Sequence, residues 1–158
     1  MKKLFLLAAV ILGFAFPANA HQGAGHFKLS LWDNIAVAIP HNIYDIKGLD
    51  LGIGSKANTV TGVQWDLIWA DASHLTGASL ALVTRNSQTT GAQLGAINLS
   101  EAELIGAQLG FYNQANYVTG VQIGLVNYAK QLYGLQLGIL NIAENGYLPA
   151  MIFINGRF

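Results

Sequence analysis

The chain has 158 residues, which is long enough for one domain and too short for two comfortable ones. Only 10% of the residues are charged, against ~25% in ordinary soluble domains, and the formal net charge is 0. The sequence offers no basic patch to attract nucleic acid. It also lacks cysteine, which excludes disulfide bridges, thiol chemistry and an anchor on a lipid-modified cysteine.

The first twenty residues are predicted to be a cleaved export signal. Lys2 and Lys3 form a positive start, residues 4–16 are apolar, and Ala18-Asn19-Ala20 is a small-residue cleavage site. The apolar run is too short for the ~20 apolar residues that a membrane-spanning helix needs. Cleavage after Ala20 leaves six Lys/Arg against eight Asp/Glu, a formal charge of −2.

Residues 21–42 have a composition of their own. The segments "FKLSLW" and "IAVAIP" alternate weakly around Asp33-Asn34, and Pro40 interrupts the second of them. We expect an extra hairpin or a terminal segment here, ahead of a β-repeat domain over residues 43–158.

The repeat domain is built from units of 14 or 15 residues that open with a glycine, from Gly48 to Gly134. The third position is mostly glutamine, the fifth is mostly glycine, and an asparagine closes each of the last four units. Such self-similarity indicates one structural element per unit. The residues that carry the pattern are Gly62, Gln64, Gly91, Gln93, Gly95, Asn98, Gly106, Gln108, Gly110, Asn113, Gly120, Gln122, Gly124, Asn127, Gly134, Gln136, Gly138 and Asn141.

Each unit is predicted to form one strand. Val121 and Ile123 point to one side, and Gln122 and Gly124 point to the other. Two glycines in five residues disfavour a helix, because each costs about 1 kcal/mol relative to alanine. Polar clusters such as "SKAN", "RNSQ" and "QAN" have turn compositions. Cutting the chain at these clusters gives about eight strands of roughly 10–12 residues.

The placement of charge favours a small, antiparallel outer-membrane β-barrel of about eight strands. A 14-residue period leaves ~9–11 residues for a membrane-crossing strand and about four for a turn. The apolar side of each strand would meet lipid, and the Gly/Gln side would fill a narrow lumen. Between Gly77 and Asn141 the charged residues all fall in predicted turns: Arg85, Glu101, Glu103 and Lys130.

Aromatic residues give the barrel further support. They lie near predicted strand ends, where an interfacial girdle would place them, at Trp69, Tyr117, Tyr128, Tyr133 and Tyr147. The chain also ends on an aromatic residue, Phe158, which resembles the assembly signal of outer-membrane barrels.

A β-solenoid, in which each unit forms one coil, is the alternative. Single-unit repeats are natural to solenoids, and the asparagines would stack into a ladder beside a column of threonines. We expect Gln122 and its equivalents to face solvent in such a solenoid. The sequence favours the barrel because a nearly uncharged Gly/Gln surface is unusual for a soluble protein. The threonines are Thr61, Thr76, Thr90 and Thr119.

The tandem G-x-Q-h-G-h-h-N pattern, from Gly48 to about Gly146, resembles an uncharacterised family of bacterial surface-repeat proteins. The ending "ENGYLPAMIFINGRF" is also similar to the close of that family. The resemblance implies a surface or outer-membrane location and supplies no catalytic residues. Some relatives look like lipoproteins, whereas this chain has no cysteine to carry a lipid.

The sequence predicts no catalytic, cofactor-binding or metal-binding site. An amino-terminal His21 can chelate copper after cleavage, but no partner ligand is evident. Asp66 is the one charge on the predicted inward side, where we expect it to be paired or solvated at a rim. His74 and Ser79 cannot be joined into a triad by their spacing, and no G-x-S-x-G elbow occurs.

These observations predict a non-enzymatic, exported protein of the outer membrane or cell surface. Its role would be structural or one of surface interaction, in contact with the lipid bilayer and without a cofactor. The alternative is a soluble periplasmic or secreted β-solenoid that binds an extended surface or a glycan.

Overall fold

The computed structural model describes residues 25–32, 35–39 and 44–158. The predicted export signal, His21 and His41 lie outside the described residues. The described part is almost entirely strand. Its strands are β1 (Gly25–Trp32), β2 (Ile35–Ile39), β3 (Asp45–Leu80), β4 (Val83–Leu94), β5 (Ile97–Leu109), β6 (Tyr112–Ile123), β7 (Val126–Ala143) and β8 (Ala150–Arg157).

The strands form one sheet that winds around the molecule as a β-solenoid. The strand order is β2-β1-β3-β4-β5-β6-β7-β8, and all neighbours from β1 to β7 are parallel. The 36 residues of β3 would extend about 120 Å if they were straight. They are coiled instead, as the close approach of glycines one unit apart shows. A Cβ on Gly62 would lie 2.1 Å from Gly48 O, and one on Gly77 would lie 2.0 Å from Gly62 O. Residues one unit apart therefore stack directly on each other.

The prediction of a closed antiparallel barrel is wrong. Successive units pair in parallel and in register, with Gly91 opposite Gly106, Gly106 opposite Gly120, and Gly120 opposite Gly134. The first and last strands of the order, β2 and β8, lie at opposite ends of the sheet and do not close it. The membrane-crossing strands, the lumen and the interfacial girdle that the barrel implied are wrong with it.

The chain also bends at positions that were not predicted, at residues 81–82, 95–96, 110–111 and 124–125. The predicted turn cluster "SKAN" lies inside β3, and Asn86 of "RNSQ" pairs with Ser100 in the sheet. The register nevertheless shifts directly after these paired residues, between Asn86 and Gln88 and between Ser100 and Glu103. Glycine is needed at the last three of the new corners because successive coils approach closely there. A Cβ on Gly110 would lie 2.1 Å from Gly95 O.

Antiparallel strands terminate the stack at both ends. In the segment where we expected a hairpin or a terminal segment, β1 pairs antiparallel with β2 and parallel with β3. At the other end, β8 turns back and pairs antiparallel with β7. No helix long and apolar enough to cross a bilayer occurs within residues 25–32, 35–39 and 44–158.

The interior of the solenoid is only partly apolar. One buried cluster joins the later coils, and a smaller one joins the earlier coils. Buried polar side chains outnumber buried hydrophobic ones among the described residues. The apolar members are Leu104, Ala115, Val118, Ala129, Leu132 and Ala143 in the later cluster and Ala57, Val60, Ala72 and Leu75 in the earlier one.

Candidate functional site

A ladder of glutamine amides runs through the interior. Gln108 Nε2 donates to Gln93 Oε1 over 2.7 Å, Gln122 Nε2 donates to Gln108 Oε1 over 2.7 Å, and Gln136 Nε2 donates to Gln122 Oε1 over 2.8 Å. Each amide also donates to a backbone carbonyl of its own unit, as from Gln122 to Tyr128 O over 3.2 Å. All four side chains are fully buried. A buried amide network stabilises a fold only when its members are satisfied, and this one is.

A second ladder is formed by the asparagines that close the units. Asn98, Asn113 and Asn127 each donate through Nδ2 to the Oδ1 of the next asparagine, over 2.8 Å in every case. The same Nδ2 atoms donate to backbone carbonyls at the corners, as from Asn113 to Ile123 O over 2.9 Å. The asparagine amides donate toward the C-terminal end of the stack, whereas the glutamine amides donate toward the N-terminal end. The two ladders therefore have opposite polarity.

The glutamines are buried, which differs from the solvent-facing position that we expected in a solenoid. The difference arises because the amides are satisfied by stacking on their own copies, so water is not needed as a partner. As a result the alternation is reversed, with amides inside and most of the large aliphatic side chains outside. Leu109 and Ile123 are about two-fifths exposed, and Phe111 is 66% exposed.

The opening glycines fix the approach of the coils. All seven have a positive φ between 133° and 145°, a backbone conformation that L side chains rarely adopt. A Cβ on any of the six opening glycines from Gly62 to Gly134 would lie 1.9–2.1 Å from the carbonyl oxygen of the opening glycine in the preceding unit. The repeat needs glycine at this position for both reasons.

One side of the solenoid presents three parallel columns of uncharged side chains, which we call the outer sheet face. The register aligns three columns along the axis: one that is mostly threonine, one that changes from alanine to valine and leucine, and one of leucine and isoleucine. Equivalent side chains repeat every ~4.8 Å. The columns are Thr76, Thr90, Ile105, Thr119 and Tyr133; Ala78, Ala92, Ala107, Val121 and Leu135; and Leu80, Leu94, Leu109, Ile123 and Leu137.

The first coils hold a buried polar cluster. Lys28 Nζ lies 3.7 Å from Asp50 Oδ2 and donates to Ser55 Oγ over 2.8 Å, and Ser55 Oγ donates to Asp50 Oδ2. Asp66 is 1% exposed, and neither of its oxygens has a hydrogen-bond partner among the described residues. The structure places Asp66 on the inward side, as expected from the sequence. Asp66 is, however, buried in the interior and does not lie at a solvated rim. Lys28 was not singled out by the sequence, because the weak alternation of "FKLSLW" does not indicate which side of β1 faces inward.

Burial raises the pKa of Asp66 from its ordinary value of 3.8 to about 8, the nearby charge of Asp50 adds to the increase, and Lys28 opposes it. Burial also raises the pKa of Asp50, against the lowering effects of Ser55, Lys28 and Gln64. Asp66 therefore binds a proton in the folded protein over a pH range in which the unfolded chain has already released it.

A pH dependence of stability follows from Asp66. The free energy of unfolding should fall as the pH rises from about 4 to about 8, because the unfolded chain releases the Asp66 proton first. The slope should be up to ~1.4 kcal/mol per pH unit. Urea denaturation at a series of pH values measures the slope. Asp66→Asn should flatten it, whereas Glu103→Gln, on the outside of the coil, should leave it in place. Equal slopes for the parent and Asp66→Asn would contradict the assignment.

The other candidate residues are not brought together. His74 is exposed on the outside, whereas Ser79 is fully buried inside. No group of three or more His, Cys, Asp or Glu side chains capable of holding a metal ion occurs in the part of the chain that the structure describes.

Comparisons of the chain with family models, with curated proteins and with solved structures give no match. The resemblance of the repeats to a bacterial surface-repeat family stays a prediction. The fold and the geometry of its faces therefore carry the functional argument.

Proposed function

We propose that the protein is a non-enzymatic, exported β-solenoid whose outer sheet face binds an extended, uncharged polymer surface, with an insoluble polysaccharide as the class of ligand. The export pattern of residues 1–20 supports the location. The observation that carries the binding role is the outer sheet face itself, an array in which the uncharged side chains of successive coils are aligned in register.

The chemistry of this face suits an uncharged ligand. Its three columns contain hydroxyl, methyl, larger aliphatic and phenol groups and no charged residue, so a polyanion would find no partner there. Thr90 and Thr119 are exposed, and their hydroxyls can donate and accept hydrogen bonds. An amphiphilic surface of this kind fits a polymer that has both hydroxyl groups and apolar ring faces.

Repetition converts weak contacts into useful affinity. A contact made by one coil can be made again by its neighbours, so that successive contacts with one polymer are intramolecular. The interior ladders hold the columns in fixed register, which reduces the ordering cost of binding.

The test is co-sedimentation of the purified protein with insoluble cellulose and chitin. The parent should bind at least one of them. Ala107→Glu, which places a charge in the centre of the outer sheet face, should weaken that binding at least about tenfold, a change of ~1.4 kcal/mol. Leu99→Glu is the matched control, because it adds the same charge to the same strand outside the three columns, at a position that pairs with Arg85 and Gln114.

Circular dichroism shows whether both variants fold. The proposal is wrong if the folded parent sediments with neither polysaccharide, or if Ala107→Glu and Leu99→Glu bind equally well.

A further inference from the structure

A small cavity lies among the first coils of the solenoid. Its volume is about 230 Å³, and it is lined by Trp32 of β1, by residues 54–56 of β3 and, one unit later on β3, by Trp69 and Asp71. These residues do not belong to the three columns of the outer sheet face. Pockets for drug-sized ligands measure ~300–1,000 Å³, so this cavity suits a smaller ligand, about the size of one sugar ring.

Two tryptophan side chains give the cavity its apolar surface. Trp32 is 55% exposed, and Trp69 is partly exposed. The six-membered ring of Trp32 lies over Gly54, where a Cβ would be 3.3 Å from Trp32 Cε3. Glycine at this position therefore lets the indole lie close to the backbone of the next coil. The exposed indole offers a flat apolar surface that has an N–H donor at its edge.

The two charged residues of the cavity have opposite signs. Lys56 is exposed, and Asp71 is partly exposed and close enough to Arg85 for their charges to interact. A carboxylate has more acceptor positions than one partner fills, so Asp71 can also accept a hydrogen bond from a ligand. A cationic ligand would be repelled by Lys56, and an anionic ligand would be repelled by Asp71. The pair therefore favours an uncharged ligand with hydroxyl groups.

The buried polar cluster fixes the wall of the cavity. Lys28 Nζ donates to Lys56 O over 2.6 Å and to Ser55 Oγ over 2.8 Å. Lys28 lies on the same strand as Trp32, so these bonds hold Trp32 and the backbone of Lys56 in a fixed relation. A site that is already ordered loses less conformational entropy when a ligand binds.

We propose that this cavity is a binding site for one ring of an uncharged saccharide. The apolar face of the ring packs on Trp32, and its hydroxyl groups accept a hydrogen bond from Lys56 and donate one to Asp71. This site goes beyond the proposed function and does not rest on it, because it uses none of the residues of the outer sheet face. Either proposal can fail without the other.

The test is a titration of the isotope-labelled protein with the soluble sugars cellotriose and triacetylchitotriose, followed by the indole N–H signals in NMR spectra. The chain has 3 tryptophans. At least one trisaccharide should shift the signals of Trp32 and Trp69, with a dissociation constant on the order of 1 mM. The signal of Trp65, which is exposed but does not line the cavity, should not move.

Charged probes test the chemistry of the ligand. Choline and glucuronate should each bind at least about tenfold more weakly than the better trisaccharide, because each carries a charge that one side of the cavity repels. A trisaccharide is also too short to make the repeated contacts that the outer sheet face offers to a polymer, so its binding reports on the cavity.

Two variants and a control locate the site. Trp32→Leu should bind the trisaccharide at least about tenfold more weakly, because it removes the flat surface. Lys56→Ala changes an exposed side chain and should bind at least about threefold more weakly, so it tests the site even if Trp32→Leu does not fold. Trp65→Leu removes an exposed indole outside the cavity and should bind like the parent. Circular dichroism shows which variants fold.

The proposal is overturned if neither trisaccharide shifts the Trp32 and Trp69 signals, or if the Trp65 signal shifts as much as theirs. Tighter binding of choline or glucuronate than of both trisaccharides would also overturn it. So would folded variants at Trp32 and Lys56 that bind as tightly as the parent.

Discussion

Gly106→Ala should abolish the folded solenoid. Gly106 has a φ of 133°, and a Cβ there would lie 2.0 Å from Gly91 O, a backbone atom that the sheet holds in place. The unusual φ alone costs about 1–3 kcal/mol, and relieving the overlap requires two coils to separate in the middle of the stack. We expect a total loss of more than about 5 kcal/mol, comparable to the whole stability of a small domain. Circular dichroism and urea denaturation measure it.

Gly156→Ala is the matched control for this prediction. A Cβ on Gly156 would make only ordinary contacts, the nearest at 3.4 Å from Gly134 O. The variant should stay within about 1 kcal/mol of the parent. A Gly106→Ala protein that unfolds at the same urea concentration as Gly156→Ala would show that the coils are less closely stacked than described.

Gln122→Trp should also prevent folding. Gln122 is fully buried in the centre of the ladder, where it donates to Gln108 and accepts from Gln136. Tryptophan would overpack the coil at a cost of typically 1–3 kcal/mol or more. It would also leave the ladder partners of the lost amide unsatisfied, at ~1–3 kcal/mol for each buried group.

Two further variants separate these effects. Gln122→Leu keeps a similar volume but removes the amide, so it should fold with a loss of about 2–5 kcal/mol, measured by urea denaturation. Lys130→Trp adds the same large ring at an exposed position of β7 and should change the stability by no more than about 0.5 kcal/mol. If Gln122→Leu were as stable as the parent, the amide ladder would have no role in stability.

The repeat period and the strand character could be predicted from the sequence, whereas the direction of the strands was predicted wrongly. Alternation at Val121, Gln122 and Ile123 is the same in a barrel and in a coil, because both give each strand an inner and an outer side. The informative signal was the sameness of the units. Adjacent antiparallel strands run in opposite directions, so equivalent residues of consecutive units cannot face each other all along the pair, whereas parallel stacking aligns Gln108 with Gln122 and Gln136.

The low charge content also favoured the wrong fold. It is compatible with a barrel in lipid, but uncharged columns are equally required when amide side chains stack inside a solenoid, because a charged column would repel itself. Asp66 lies against Gly52 of the preceding coil, and this contact could not be inferred until the stacking was known.

The opposite polarity of the two ladders bears on how many coils such a protein can have. In a single ladder the amide dipoles would add from coil to coil, whereas paired ladders of opposed direction largely cancel at any height. A tandem duplication of one 14-residue unit would therefore insert a coil whose neighbours are chemically the same as before, while β2 and β8 still cover the ends. The copy number of the unit can therefore change by recombination without any compensating substitution. The length of the outer sheet face can change with it during evolution.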